Sequence, residues 1–417
     1  VTVNGVKYEL NRLNMAKRCC SDDANLCEIT EITLENEEEN KAINKILEAN
    51  RWNTMIRRQI EKTSALGTEA VYISIENANV TQDGEVHGGN VKLNYVSATQ
   101  YVPLTVVNDE VTEAAFCSKE MKDSEYKYTL VIFTRDDNGI YNADSYVLNE
   151  NGMEIDSSSI TLGDIKPFAV YRTAEVNNLK QMGEGYGLPK IWNSIPVFKG
   201  IDLAYNILFS DLDKGEKIIL VNDLLCKYDS NHNITQSIEN KKLFVLTGEK
   251  LPEQENMIHE YNPEIRIKDV RDTFEFLLSL LSLNFGYGSK KYTFENSQIQ
   301  TATEYIGSKQ DEMQALNRQR YQTSEYIKTI IKAIEWFENR FNNAEYDLNQ
   351  EIKIDYDDSL IIDKETILER KRNDAVTFDI PQLTIWYLMD AYNLTEEEAT
   401  RIYREKDTPE DETDEDE

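Results

Sequence analysis

At 417 residues with 40% apolar side chains, the chain is long enough for two or three domains with well-buried cores and is not disordered as a whole. Its 45 basic against 76 acidic side chains, a formal net charge of −31, exclude the ordinary nucleic-acid binder whose basic face neutralises phosphates, and argue against attachment to an anionic membrane surface. The tail PEDETDEDE is expected to be a disordered solvating end, and without its seven acids the rest still carries −24.

The chain opens VTVNGVKYEL, with neither Met nor an apolar leader, so no targeting segment is read there and residues before Val1 are expected to be missing from the numbering. Cys19, Cys20, Cys27, Cys117 and Cys226 are odd in number and match no common zinc spacing, which predicts reduced thiols in a cytosol-assembled protein. The region to about Pro189 reads as mixed α/β. A helix over residues 33–67 carries Ile43, Ile46, Leu47, Trp52, Met55, Ile56 and Ile60 on one side and stops at Gly67. Strands follow at EAVYISIE, NVKLNYVSA, YVPLTVV, EAAFCSK, YKYTLVIFTRD, GIYNADSYVLN and FAVYR, with turn pairs Asp83-Gly84, Gly88-Gly89 and Asn138-Gly139 in the gaps.

Helical spacing returns over Pro189–Leu212, where Pro196 and Gly200 leave open one kinked helix or two short ones. Lys214–Tyr261 reads as short strands and turns, EKIILVN and KKLFVLTG among them, closed by Asn262-Pro263. A helix from about Lys268 to Phe285 includes the most apolar run of the chain, about ten residues from Phe276, too short for the roughly twenty that a membrane span needs, and the protein reads as soluble. A loop with Lys290 and Lys291 at its tip leads to a helix from Ala302 to about Phe341, on the order of 60 Å long at about 1.5 Å per residue. Its second half places Ile327, Ile330, Ile334, Phe337 and Phe341 at spacings of three and four; its polar first half is expected to face solvent or a cavity. EIKIDYDD reads as a strand, and ETILERKRNDAV, TIWYLMDAY and TEEEATRIYRE as C-terminal helices.

Catalytic chemistry finds no foothold. His87, His232 and His259 lie in polar turn-like contexts away from any nucleophile motif. GEGYG at Gly183–Gly187 lacks the lysine-Ser/Thr ending of a phosphate loop and sets Glu184 where phosphate would approach, so it reads as a turn before a helix. Asp355, Asp357, Asp358 and Asp363 lack the glycine and terminal Glu of a calcium loop and read as a strand end with Asp363 capping a helix. The expectation is a non-enzyme with no metal and no cofactor.

LNMAKRCCSDDANL, LGTEAVYISI, YVSATQYVPL, IKPFAVYRTAEVNN, GYGLPKIWNSIPVFKGIDLAYN, EKIILV, NPEIR and QTATEY resemble, in this order from about residue 7 to 405, the portal proteins of tailed bacteriophages, in particular those of siphoviruses with Gram-positive hosts. Thr301-Ala302-Thr303-Glu304 opening the long helix and the upstream GIDLAY are the most telling pair. The short N-terminus and the cysteine pair depart from the family pattern. The resemblance implies an α+β portal fold: an α/β wing (residues 1–185), a stem of two helices (186–214 and 267–285), a small β-containing clip (215–266), a tunnel loop (286–300), a long helix into the wing (301–350), a wing strand (351–362), a helical crown (363–406) and the acidic tail (407–417).

It implies a homododecameric ring at one capsid vertex of the virion, assembled in the host cytoplasm. Double-stranded DNA would pass through it during packaging and ejection. The partners would be the terminase large subunit, the major capsid and scaffolding proteins, and then the head-completion or tail connector protein, with no membrane. Gly286 and Gly288 would be hinges, and Lys290, Lys291, Tyr292, Thr293, Glu295, Asn296, Ser297 and Gln298 would project toward the channel axis. FLLSLLSLNF is apolar nearly all round, as befits a helix flanked by neighbouring copies. Phe274, Leu277, Leu278, Leu281 and Phe285 are therefore expected to pack subunit against subunit. Net acidity suits a conduit, since a repelling wall keeps the duplex centred and mobile. The alternative is another structural virion protein, a head-completion or tail component without a DNA channel; a hydrolase is the remote third.

Overall fold

The structure is a computed structural model that describes residues 2–3, 6–7, 11–80, 86–122, 125–179, 183–215, 218–222, 230, 243–246, 258–261, 264–294, 302–357, 364–378, 380–392 and 394–406. Cys226, His232, Asp83-Gly84, Asp358, Asp363 and the acidic tail lie outside them. The fold is mixed α+β and forms two compact units: Val1–Arg18 with Ile191–Asn296, and Cys19–Lys190 with Ser297–Glu417.

In the first unit, β1 (Thr2–Val3) and β2 (Val6–Lys7) make a small antiparallel pair. The helix α1 (Met15–Leu26) ends in the second unit, where β3 (Ile29–Leu34) follows. Asn36 then caps α2 (Glu37–Ala49), accepting from the amides of Glu38 and Glu39, and three glutamates in the first turn suit the positive end of the helix dipole. The single helix expected over residues 33–67 is in fact two. Arg51 sits at φ +57° between α2 and α3 (Trp52–Leu66), and the reason lies in Asn50. Its side-chain amide donates to the Val91 carbonyl at 2.9 Å and accepts from the Leu93 amide at 2.9 Å, so it pairs like a strand residue and takes the chain out of the helix.

β4 (Thr68–Glu76), the short pair β5 (Asn79–Val80) and β6 (Val86–His87), and β7 (Asn90–Ser97) come next. β8 (Tyr101–Val107), β9 (Glu110–Lys122), β10 (Glu125–Arg135), β11 (Tyr141–Leu148) and β12 (Glu154–Thr161) form a five-stranded antiparallel meander, and β13 (Phe168–Arg172) joins β4 and β7 in a second sheet. The two sheets enclose an aromatic core of Tyr72, Tyr101, Phe116, Phe133, Tyr141 and Phe168. Tyr72 and Phe116 stack at 5.1 Å, and Phe116 and Phe168 meet edge to face at 5.6 Å. Sequence reading misses β12: EIDSSSIT has no apolar alternation, is almost wholly exposed, and is held as a strand by its ladder with β11.

The rest of the first unit is α4 (Ile195–Lys214), the sheet β14 (Ile218–Asn222), β15 (Leu243–Leu246) and β16 (Ile258–Tyr261), and α5 (Ile267–Asn284). Pro196 falls in the first turn of α4, where its missing N–H costs nothing, so α4 is one helix behind a short 3₁₀ turn at Trp192–Ser194. β16 pairs antiparallel with β14, while β15 pairs with β14 in parallel.

In the second unit α6 (Ala302–Phe341) lies across β13, with the Tyr326 ring stacked on Tyr171 at 5.0 Å. Ile327, Ile330, Ile334, Phe337 and Phe341 are all buried, as their spacing predicts. The polar first half differs from expectation, because Glu312 and Gln319 are buried too. Gln319 donates to the Tyr171 hydroxyl at 2.7 Å and accepts from the Ala174 amide at 3.1 Å, so its polarity serves the core rather than a solvent face. β17 (Ile352–Tyr356) pairs with β3, and α7 (Lys364–Phe378), α8 (Pro381–Tyr392) and α9 (Glu396–Lys406) complete the described chain.

Glu335 on α6 is fully buried beside Gln350, whose amide donates both to it at 3.0 Å and to Glu39 of α2 at 2.5 Å. Burial pushes the Glu335 carboxyl up from 4.5 to about 7, with Gln350 opposing the rise, Glu39 adding to it and Lys332 opposing it. The folded state therefore holds a proton that the unfolded chain has already lost, and stability falls as pH rises from about 4.5 to about 7. Glu335→Gln is expected to flatten that slope and to stabilise the protein at pH 8 by about 2 kcal/mol, at about 1.4 kcal/mol per pKa unit with part offset by relaxation. Urea unfolding at pH 5, 6, 7 and 8 reads it; equal slopes in both proteins would refute it.

Candidate functional site

Helices α4 and α5 form an antiparallel hairpin whose open end carries the β14–β16 sheet. The antiparallel sense follows from three cross-contacts along its length. At the sheet end Arg266 grips Asp211 through both carboxylate oxygens at 2.9 Å. Midway, a Cβ added to Gly200 would stand 3.3 Å from Leu277, so the helices approach closely there. At the far end the Phe198 and Phe285 rings meet edge to face at 6.5 Å.

This hairpin assigns the predicted stem residues differently. Phe274, Leu278, Leu281 and Phe285 are buried within the single chain, and Leu277 is half-buried against Gly200. Leu277 and Phe285 meet α4 across the hairpin, at Gly200 and Phe198, so burial of these five side chains is at least partly met within one chain. The apolar groups left outside are Leu203 (56% exposed), Phe209 and Leu212 on α4, and Ile267, Phe276 (64% exposed) and Leu283 on α5. On α5 the polar residues Lys268, Arg271, Asp272, Glu275, Ser279 and Ser282 gather on one side, but the apolar residues spread over the rest of the helix, so the sequence does not choose between these two sets.

The loop after α5 also departs from expectation. Gly286 and Gly288 take φ of +76° and +71°, in the left-handed region that glycine adopts without strain, and the chain reverses between them. Instead of projecting outward, residues 292–294 run back along α5. The Tyr292 amide donates to the Ser282 hydroxyl at 2.9 Å, which itself donates to the Leu278 carbonyl at 2.8 Å. Glu275 takes the Thr293 hydroxyl at 2.8 Å on one oxygen and the Phe294 amide at 3.0 Å on the other.

The Tyr292 side chain is buried, edge to face with Tyr287 at 6.4 Å, and Tyr287 stacks on Phe285 at 6.0 Å. Lys291 leans over the Tyr287 ring at 5.5 Å, while Lys290 is exposed. Of the eight residues expected to face the channel axis, Tyr292 is thus core, Thr293 is tied to α5, and Glu295, Asn296, Ser297 and Gln298 lie outside the described residues. Sequence reading overlooked Glu275 and Ser282 as the groups that hold the loop. Their spacing of seven, which sets both on one face of the helix, was the available signal.

Among the described residues no cluster of three or more His, Cys, Asp or Glu side chains could hold a metal ion, and no helix is long and apolar enough to cross a membrane. The GEGYG segment lies in a cleft of about 590 Å³ with Arg172, which forks onto Asp109 at 2.8 and 3.3 Å. That guanidinium is engaged by a carboxylate of its own chain. No protein-family model matches the chain, and a search of curated proteins finds no match.

Proposed function

We propose that the chain is the subunit of a dodecameric portal ring at one vertex of a tailed-phage capsid. On this reading the ring conducts double-stranded DNA inward during packaging and outward during ejection. It docks the terminase large subunit first and the head-completion or tail connector protein afterwards, and sits among the major capsid and scaffolding proteins. The observation that carries the proposal is the order of parts: an antiparallel helical hairpin with a small sheet inserted between its helices, then a glycine-hinged loop, then a 40-residue helix. In the portal reading these are stem, clip, tunnel loop and the helix that returns to the wing. The ordered run of resembling segments supports the same assignment.

Physical chemistry adds two supports. The hairpin satisfies its own seam and still leaves large apolar side chains on the outside of both helices, which adjacent copies in a ring would cover. The chain's net charge of −31 disfavours tight capture of phosphates, as a channel requires, although charges farther than about 8–10 Å from the DNA are screened. Lys290 is then the basic side chain of the loop able to touch the backbone transiently. The test is the solution mass. The native chain is expected at about twelve times 48.3 kDa by mass photometry, and the double variant Leu203→Asp, Phe276→Asp at the single-chain mass with unchanged circular dichroism. Wild-type protein that stays monomeric up to tens of micromolar, or a folded double variant that still assembles, would count against this arrangement.

A further inference from the structure

Asparagine precedes glycine at Asn4, Asn138 and Asn151. Asn4 lies outside the described residues; the other two are exposed and sit in turns that copy each other. In the turn from Asp136 to Ile140, the Asp136 carboxylate accepts from the amides of Asn138 and Ile140 at 2.9 and 2.8 Å. The Asp136 amide donates to the Ile140 carbonyl at 2.9 Å, and the Gly139 amide to the Asp136 carbonyl at 3.0 Å. In the turn from Asn149 to Met153, the Asn149 side chain accepts from the amides of Asn151 and Met153 at 2.9 Å each. The Asn149 amide donates to the Met153 carbonyl at 2.9 Å, and the Gly152 amide to the Asn149 carbonyl at 3.0 Å.

An asparagine before glycine can lose ammonia. The glycine amide gives up its proton, its nitrogen attacks Asn Cγ and displaces ammonia, and a succinimide ring closes. Water then opens the ring at one carbonyl or the other, leaving aspartate or isoaspartate. Glycine favours the step because no Cβ hinders the approach. The nitrogen attacks along the direction that its hydrogen occupied, and in both turns that direction points at the carbonyl of residue 136 or 149. The ring therefore closes only after the turn has opened, and the rate at each site scales with the open fraction of its turn.

The two turns are anchored very differently. Beside the first, Tyr141 is 3% exposed, its amide donates to the Gly163 carbonyl and its carbonyl accepts from the Leu162 amide, each at 2.8 Å. Phe133 on the other flank belongs to the aromatic core. Arg135 Nε donates to the Gly139 carbonyl at 3.1 Å while its guanidinium lies over the Tyr141 ring at 5.7 Å. Beside the second turn, the β11–β12 ladder shifts register between Val147 and Leu148, and β12 is an edge strand exposed on both faces. Met153 and Ile155 are 61% and 52% exposed, and no atom stands within 4 Å of a Cβ added to Gly152.

We infer that Asn151 is a site of spontaneous deamidation with water as the co-reactant, and that Asn138, in the same kind of turn, is protected by its anchors. The product places a new carboxylate between the exposed Glu150 and Glu154. Isoaspartate also adds a methylene to the main chain between residues 151 and 152, which removes the fit of the Gly152–Asn149 bond and loosens the edge strand. The inference concerns the second unit alone and stands whether or not the chain forms a ring.

The test is incubation of the full chain at pH 8 and 37 °C in heavy-oxygen water, which labels only the product formed during the incubation. Fragment-ion mapping then assigns the label to residue 138 or 151. The folded chain is expected to convert Asn151 faster than Asn138 by about five-fold or more, the ratio that about 1 kcal/mol of easier opening gives. In guanidinium chloride, where neither turn persists, the two rates are expected to converge. Equal rates in the folded chain, a faster Asn138, or no labelled product at residue 151 overturns the inference. So does a ratio that survives unfolding, because local sequence and not turn opening would then set the order.

Discussion

Asp23→Ala is expected to cost about 3–5 kcal/mol in stability, because it strands a buried ammonium. Lys190 Nζ lies 2.5 Å from Asp23 Oδ1, with the two side chains only 8% and 4% exposed. Burial alone would pull the Lys190 ammonium toward neutrality, yet the Asp23 carboxylate outweighs it and the pKa ends above 10.5. Asp23 also takes the Ser64 hydroxyl, and the Lys190 amide donates to the Ser64 carbonyl at 3.0 Å. Together these bonds fasten α1, α3 and the segment just before α4 at one point of the second unit. The pair removed whole, as Asp23→Asn, Lys190→Met, is expected to cost well under half of the single change, since no charge is then left buried without its partner. Urea unfolding of Asp23→Ala and of the double variant measures this; a double variant that loses as much as Asp23→Ala or more would show that the stranded charge is not the cause.

The second large effect is steric. Gly67 closes α3 at φ +83°, and a Cβ there would stand 2.1 Å from the Gly187 carbonyl oxygen. The backbones touch because two more bonds draw them together: the Gly187 amide donates to Thr68 Oγ1 at 2.8 Å and the Thr173 amide to the Gly67 carbonyl at 3.2 Å. Gly67→Ala must therefore push β4 away from the 187 segment as well as strain its own backbone, and is expected to cost about 3 kcal/mol or more. Gly183 provides the control. It has a similar φ of +73° with nothing within 4 Å of an added Cβ, so Gly183→Ala is expected to cost only about 1 kcal/mol. Thermal unfolding of the two variants separates space from strain, and equal shifts would remove the close approach as the cause.

How far the sequence announces all this depends on whether the deciding interaction is local. The α6 stripe from Ile327 to Phe341 is legible because burial on one face leaves a 3.6-residue period, and Gly67 is legible as a helix stop because left-handed backbone favours glycine. The alternation of β10 likewise separates the core residues Val131 and Phe133 from their neighbours. The misses share one cause. Asn50 breaks a helix to bond β7, about forty residues on; β12 exists only by pairing; the Tyr292–Phe294 fold-back hangs on Glu275 and Ser282, each satisfied by backbone amides that any sequence would carry. On α5 the apolar residues cover well over half of the helix surface, so the pattern marks burial without saying whether the cover is the same chain or another.

The exposed apolar side chains of the hairpin are what bears on the ring. A head-completion or tail component would use similar parts without a channel, so what distinguishes the readings is closure with an axial opening. Negative-stain electron microscopy of the purified chain tests this most directly. Closed rings with an open centre are expected, seen end-on with twelve-fold or near-twelve-fold symmetry. Monomers across a wide concentration range, or open filaments and closed discs without a central opening, would contradict it.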